Sequence, residues 1–245
     1  MRLTVIGFWG GYPGKKEASS GYLIEHEGFK LLLDCGSGVL SQLQEYIRPG
    51  DLDAVLLSHF HTDHIADIGV LQHALLIDQM VGIEKEPLPI YAHTEDKATA
   101  VTLTYKSQTV WEPIVEGKSV QIGPFHVKAL KTKHSVPCYA YVIEAGGKRL
   151  AYTADTAYFP ELVSFFRDAN VLLCECNFYE GMDMAERAGH LTSIQAGEIA
   201  RDAAVQTLIL THLPHFGNQN DLVKQAAKVY KGEIDLAKTG LQIYI

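Results

Sequence analysis

A four-layer αββα architecture of the α+β class is predicted by three features of the sequence. Short β-rich segments open the chain and recur in its middle. Each β-rich run is followed by strands alternating with helical patterns. The 245 residues are enough to bury a substantial core, and chains of this length commonly form one domain, so a single domain over residues 1–245 is expected. A β-rich run followed by an alternating run, twice over, implies two sheets packed face to face with helices outside. No internal sequence repeat accompanies the pattern.

Residues 3–7, 21–26 and 29–34 read as strands of an opening meander, each short and bounded by glycine or charged turns. Val39, Leu40, Leu43 and Ile47 recur at helical spacing, and Pro49-Gly50 stops that helix before an apolar strand at 54–57. Directly after it comes His59-Phe60-His61-Thr62-Asp63-His64, then an apolar stretch at 65–80 that fits a helix. The histidine motif therefore belongs to a strand-to-helix loop. Residues 89–92, 119–122, 125–130, 139–144 and 149–153 read as strands, with hairpin turns at Gly123-Pro124 and Gly146-Gly147. The remainder alternates: helix 160–167, strand 171–176, helix 193–204, strand 207–211, helix 221–230 and a closing strand at 241–245.

Composition excludes several classes of function. Hydrophobic residues make up 47% and charged residues 20%, a globular balance without a low-complexity tract. No apolar run approaches the roughly 20 residues that span a bilayer, and the N-terminal segment is too short for a signal-peptide core. A cytoplasmic protein without membrane contact is expected. Cys35, Cys138, Cys174 and Cys176 lack zinc-knuckle spacing, and a reducing cytosol disfavours disulfides, so four buried or pocket thiols are expected. A net charge of −8 opposes extended binding to phosphate backbones and favours small substrates.

The motif at 59–64 carries the chemistry. Imidazole and carboxylate are ligands for zinc, manganese or iron, and His59, His61, Asp63 and His64 place four of them within six residues. On a loop leaving a strand, His59 and His61 can turn to one metal while Asp63 and His64 turn to a neighbour. A polar loop rich in histidine by chance explains this composition poorly.

The HxHxDH pattern resembles the signature of the metallo-β-lactamase superfamily, and the resemblance runs over nearly the whole chain. It implies that family's fold and three later ligands, each found after a strand: His134 in Lys131-Thr132-Lys133-His134-Ser135, Asp155 in Tyr152-Thr153-Ala154-Asp155-Thr156, and His212 in Leu208-Ile209-Leu210-Thr211-His212. Carried over residue by residue, His59, His61 and His134 hold one metal, Asp63, His64 and His212 the other, and Asp155 is shared. Asp34, in Leu33-Asp34-Cys35-Gly36, matches the aspartate that supports the site from behind. Two divalent ions, zinc first and manganese or iron also acceptable to these donors, would lower the pKa of a shared water and stabilise charge on a carbonyl or phosphoryl oxygen.

Within the superfamily the chain is similar to the tRNA 3′-processing ribonuclease (ribonuclease Z) branch. That branch carries an acidic strand motif and a later histidine, matched loosely by Glu175 in Cys174-Glu175-Cys176-Asn177 and His190 in Gly189-His190-Leu191-Thr192-Ser193, with Cys174 standing where the branch has histidine. The resemblance implies that His190, oriented by Glu175, protonates the leaving oxygen; together with Asp63 they are the expected catalytic residues. The ribonucleases insert a tRNA-gripping arm between the third histidine and the bridging aspartate, whereas Asp155 follows His134 here by only 21 positions. A phosphodiesterase acting on a small phosphodiester or short nucleic-acid end is the resulting expectation, and a homodimer is compatible with it. A lactonase or thioesterase on the same metals is the alternative, with Tyr158 as an oxyanion donor. A tRNA 3′-processing enzyme and a di-iron redox module rank below both. Gly10-Gly11-Tyr12-Pro13-Gly14, followed by Lys15-Lys16, is a loop that could hold a substrate phosphate or simply lie on the surface.

Overall fold

Strands β1 (Arg2–Gly7), β2 (Gly21–His26) and β3 (Phe29–Leu33) form the expected meander. From β3 onward the same sheet turns parallel, through β4 (Ala54–Leu56), β5 (Leu88–His93) and β6 (Thr109–Ile114). The computed structural model describes residues 1–245, whose contacts cluster into two units. The first comprises Met1–Val115, Ile122–Pro124 and Lys238–Tyr244, and the second comprises Glu116–Gln121, Phe125–Ala237 and Ile245.

In the first unit, parallel strands need helical crossovers. These are α1 (Val39–Leu43) between β3 and β4, α2 (Thr62–Ile65) and α3 (Ile68–Met80) between β4 and β5, and α4 (Lys97–Ala100) between β5 and β6. Leu32, Val55, Leu57 and Ile90 of the sheet pack in one cluster with Val39, Leu43, Ile68 and Leu71 of the helices. The apolar periodicity at 39–47 thus identifies a real buried face, although regular helix ends at Leu43 and continues as turns.

The second unit repeats this plan. β7 (Val120–Ile122), β8 (Phe125–Lys131), β9 (Tyr139–Ala145) and β10 (Lys148–Tyr152) open its sheet, with antiparallel pairing from β8 through β10. β11 (Val171–Glu175), β12 (Thr207–Thr211) and β13 (Glu233–Leu236) then add in parallel. Its crossovers are α5 (Glu161–Phe165), the pair α6 (Met184–Ala188) and α7 (Ser193–Asp202), and α8 (Gln219–Val229). Every residue of β11 is buried, as a strand with parallel neighbours on both sides requires. Gly197 lets α7 and α8 touch, because a Cβ there would lie 2.8 Å from the Ala226 carbonyl oxygen. β14 (Gln242–Tyr244) returns to the first unit and pairs with β1.

Two edge strands escape the sequence reading. β6 contains Pro113, which argues against a strand, yet β6 lies at the sheet edge where a missing N–H costs little. β13 alternates Glu233, Ile234, Asp235 and Leu236, and acidic residues on an edge strand discourage pairing with other chains. No helix is long and apolar enough to cross a membrane, and all four cysteines are buried thiols, with burial pushing Cys35, Cys174 and Cys176 well above the ordinary thiol range.

Candidate metal centre

In the first unit the chemistry gathers at the C-terminal ends of parallel strands, where such sheets ordinarily present ligand sites. Asp34 follows β3 in a left-handed backbone conformation (φ 56°) and is fully buried. Its carboxylate accepts the Ser58 backbone N–H at 2.7 Å and the Ser58 hydroxyl at 2.9 Å, and lies 2.8 Å from His64 Nδ1. Ser58 Oγ in turn sits 3.0 Å from His59 Nδ1. One anion therefore holds two imidazoles by their Nδ1 atoms, which leaves Nε2 as the nitrogen each could offer a metal ion.

Half of the motif is loop and half is helix: His61 caps α2, whose single turn contains Asp63 and His64. The loop expectation holds only as far as His61, since the helical turn starts earlier than the apolar stretch at 65. Gly36 makes the turn's position attainable, because a Cβ there would lie 1.9 Å from the Asp63 carbonyl oxygen. Across this approach the Cys35 N–H donates to the His64 carbonyl at 2.8 Å. The Gly11 N–H donates to Asp63 Oδ2 at 2.7 Å, so the glycine loop acts through its backbone on a motif carboxylate. His59 Nε2 lies 3.1 Å from His61 Nδ1, and Asp63 Oδ2 lies 3.6 Å from His64 Nε2.

A cavity of about 290 Å³ opens elsewhere in this unit, lined by Leu52, Asp78, Lys85, Leu88 and Gln108 among others. Leu88 begins β5 and Leu52 precedes β4, so the cavity lies at the strand ends opposite the histidines. It shares no residue with them.

The second unit assembles its residues from separate strand ends. Because β9 runs antiparallel to both β8 and β10, those two strands point the same way, and His134 and Asp155 follow strand ends on the same side of the sheet. The segments after them are tied together: Thr132 Oγ1 donates to the Asp155 carbonyl at 2.8 Å, and Ala157 N–H to the Lys133 carbonyl at 2.9 Å. His134 Nδ1 donates to the Gly189 carbonyl at 3.0 Å, and burial keeps this imidazole toward its neutral, ligand-competent form. Asp155 Oδ2 lies 3.8 Å from His134 Nε2 and 3.3 Å from His212 Nε2. Asn177 Nδ2 stands 3.1 Å from His212 Nδ1. Ala154 and His212 both take left-handed φ values, 49° and 50°, a strained choice for residues with a Cβ and one that clusters at functional sites.

The donor set fits divalent metal ions. Ligand atoms at roughly 2.0–2.1 Å around tetrahedral zinc stand about 3.3 Å apart, and the spacings inside each unit, from 3.1 to 3.8 Å, bracket that value.

Glu175 and His190 form a different arrangement. Glu175 ends β11 fully buried and accepts hydrogen bonds from Thr156 N–H at 2.8 Å, His190 Nδ1 at 2.9 Å and Leu191 N–H at 3.1 Å. One ligand-type atom each from Glu175, His190 and His212 falls within 4.8 Å of the others, but this carboxylate is already engaged by three donors, among them His190 Nδ1. The His190 ring stacks on His212 at 5.3 Å. Its side chain keeps 16% exposure against 2% for His134 and 4% for His212, and is the one of the three that reaches outward.

Several supporting groups were not visible in the sequence reading: Ser58, the Gly11 amide, the Gly189 carbonyl and Asn177. Backbone donors and acceptors leave no residue-type signal, and only the glycine at 36 could have announced a close approach. Of the histidines outside the motif, His93 is buried with its ring 4.3 Å from that of Phe60 and His126 faces Glu144 at 3.4 Å on β8; Tyr158, the alternative oxyanion donor, is half-buried.

The family profile described as "Beta-lactamase superfamily domain" matches residues 30–213. The Bacillus subtilis protein named "Probable metallo-hydrolase YhfI" is 46% identical over 240 residues, covering 98% of each chain. The YhfI crystal structure, described as a metallo-beta-lactamase fold protein, superposes with a TM-score of 0.97 over 99% of this chain and 98% of that one. Ribonuclease Z of Methanopyrus kandleri is 28% identical over 280 residues, covering 99% of this chain and 97% of its own. Human tRNase Z, short form, shares the fold, with a TM-score of 0.80 at 22% identity over 100% of this chain and 99% of that one. With its histidine and aspartate clusters at the strand ends, the chain belongs to the β-lactamase superfamily and is a metallo-hydrolase of the metallo-β-lactamase fold.

Proposed function

We propose that the protein is a phosphodiesterase acting on small phosphodiesters or short nucleic-acid ends. The observation that carries this reading is the Glu175–His190 pair at 2.9 Å, an oriented imidazole beside the metal ligands and not among them. In this reading His59, His61 and His134 hold one divalent ion, Asp63, His64 and His212 a second, and Asp155 is shared, with zinc the first choice and manganese or iron alternatives. When bound, the two ions supply an activated water and neutralise charge on the phosphoryl oxygens. The chain's own groups supply the rest. Asp34 and Ser58 hold His59 and His64 by Nδ1, and Gly189 does the same for His134. Glu175 fixes His190 through Nδ1, so Nε2 is the atom that carries a proton toward the leaving oxygen. Gly11 N–H orients Asp63.

Short substrates are favoured over precursor tRNA for two reasons. The 21 positions from His134 to Asp155 are filled by β9, β10 and their turns, and the net charge is −8. Four buried thiols suit a reducing cytosol. A panel on metal-loaded protein, comparing a dinucleotide or cyclic nucleotide with a lactone and a thioester, tests the reading. Phosphodiester turnover well above the other two is expected. Preferential opening of the lactone or thioester, or tight and salt-resistant binding of precursor tRNA, overturns it.

A further inference from the structure

A row of aromatic rings leads away from His190. Its ring stands 6.0 Å from that of Phe178, which stands 6.3 Å from that of Phe216. Phe178 is buried at 8% exposure, whereas Phe216 at the outer end of the row is 46% exposed. A phenyl ring left this open costs apolar hydration, and this one is held in place. Tyr179 Oη donates to the Phe216 carbonyl at 2.9 Å, and the two rings lie 5.8 Å apart. Gly217, in the left-handed region at φ 75°, packs so closely on Tyr179 that a Cβ would meet its ring carbon and hydroxyl at 2.5 Å. The loop after His212 is then anchored by Asn218, whose side chain caps α8.

We propose that Phe216, backed by Phe178, is a stacking platform for the nucleobase of the substrate's leaving nucleoside. This rests on the phosphodiesterase reading above. His190 directs Nε2 at the leaving oxygen because Nδ1 is taken by Glu175. The alcohol carrying that oxygen must lie beside His190, and the groups beyond it meet Phe178 and then Phe216. A π-face recognises any base without reading its edges, and a larger purine covers more of it than a pyrimidine. The loop is ordered by Tyr179 before substrate arrives, so little freedom remains to be lost on binding. Phe216 is thereby a specificity residue that contacts the base and takes no part in proton transfer.

The test compares wild type with Phe216→Ala, Phe216→Leu and Phe216→Trp, after thermal melting confirms that each folds. Calorimetry measures binding of adenosine monophosphate and of ribose 5-phosphate, which differ by the base alone. Wild type and Phe216→Trp should prefer the base-bearing ligand. Phe216→Ala and Phe216→Leu should lose that preference, by roughly 5- to 150-fold, the span of one base stacking on one aromatic ring. In hydrolysis, Phe216→Ala should raise KM for a dinucleotide far more than for an analogue with an abasic leaving sugar, and should act on KM more than on kcat. Absence of a base preference in wild type, or its survival in Phe216→Ala, overturns the platform even when phosphodiesters are cleaved. A preference that depends on Phe216 without phosphodiester cleavage upholds the platform and sinks the phosphodiesterase reading instead.

Discussion

Asp34 stands just past the C-terminal end of β3 in the first unit, and Glu175 ends β11 in the second; both are almost wholly buried, and three groups converge on each. They differ in what they hold. Asp34 grips His64 and, through Ser58, His59, so its partners come from one six-residue motif and the serine before it. Glu175 grips His190 and the N–H of Leu191 on one crossover and the peptide N–H after Asp155 on another. A buried anion survives only when its lone pairs are answered, and each strand end does this with neighbouring backbone and imidazole. In the proposed reading, the same device steadies a metal-ligand set in one unit and a proton donor in the other.

The largest test of that division removes ligands from each unit in turn. Asp155→Ala should abolish hydrolysis and lower bound metal, since both proposed ions share this carboxylate, and His61→Ala should also abolish hydrolysis. Elemental analysis beside turnover measures both, and full activity in Asp155→Ala would sink the assignment. His190→Ala should behave differently. On a sugar-alkoxide leaving group it should cost roughly 10²- to 10⁴-fold, the usual span for general acid catalysis, while a nitrophenolate, which departs unaided, should lose little. His64→Ala should slow both substrates alike. Equal losses on the two substrates in His190→Ala, at matched metal content, would erase the distinction between the units.

The contrast also explains what could be read from sequence. His59, His61, Asp63 and His64 are legible because one loop concentrates them, and resemblance to a known pattern then locates His134, Asp155 and His212 at strand ends. Their supports are dispersed. Register brings Glu175 beside Thr211 and Leu173 beside Tyr152, and no residue pattern announces that Glu175 also takes the N–H of Thr156. The left-handed backbones of Asp34, Ala154 and His212 are equally silent, since glycine would be the residue to expect there. The apolar strand at 54–57 and the strands alternating with helices from 160 onward are legible from their composition and spacing, whereas edge strand β6 is hidden by Pro113 and β13 by its acidic alternation.

A smaller effect separates the two anions directly. Asp34→Asn keeps the shape but weakens the grip on His64, so metal affinity should fall roughly 10- to 100-fold, as it does when outer partners of ligating histidines are lost. Glu175→Gln should leave metal affinity nearer wild type and reproduce, more weakly, the leaving-group dependence of His190→Ala. Chelator competition and paired substrates read the two quantities separately. A larger metal loss in Glu175→Gln than in Asp34→Asn would mean that the tie from Glu175 to the peptide after Asp155 outweighs its tie to His190.

The smallest expected effect comes from a third carboxylate that lacks the burial of the other two. Glu144 on β9 meets Arg149 Nη1 at 2.7 Å, Lys128 Nζ at 3.3 Å and His126 Nδ1 at 3.4 Å, with its side chain 30% exposed. Partial burial alone would raise its pKa, but the cations outweigh it and hold the carboxyl below the ordinary glutamate range. The folded protein then binds this proton less readily than the unfolded chain, so the group's stabilisation is present above the unfolded pKa of about 4.3. It is lost as the pH falls through the lower folded value. Water screens the cluster, so Glu144→Gln should cost only about 0.2–1 kcal/mol at neutral pH. Urea unfolding of wild type and variant at pH 7 and at pH values below 4 measures the difference, which should shrink on acidification. A difference that persists in acid would assign the effect to packing, and one far above 1 kcal/mol would show that an exposed anion can anchor this sheet as firmly as the buried ones.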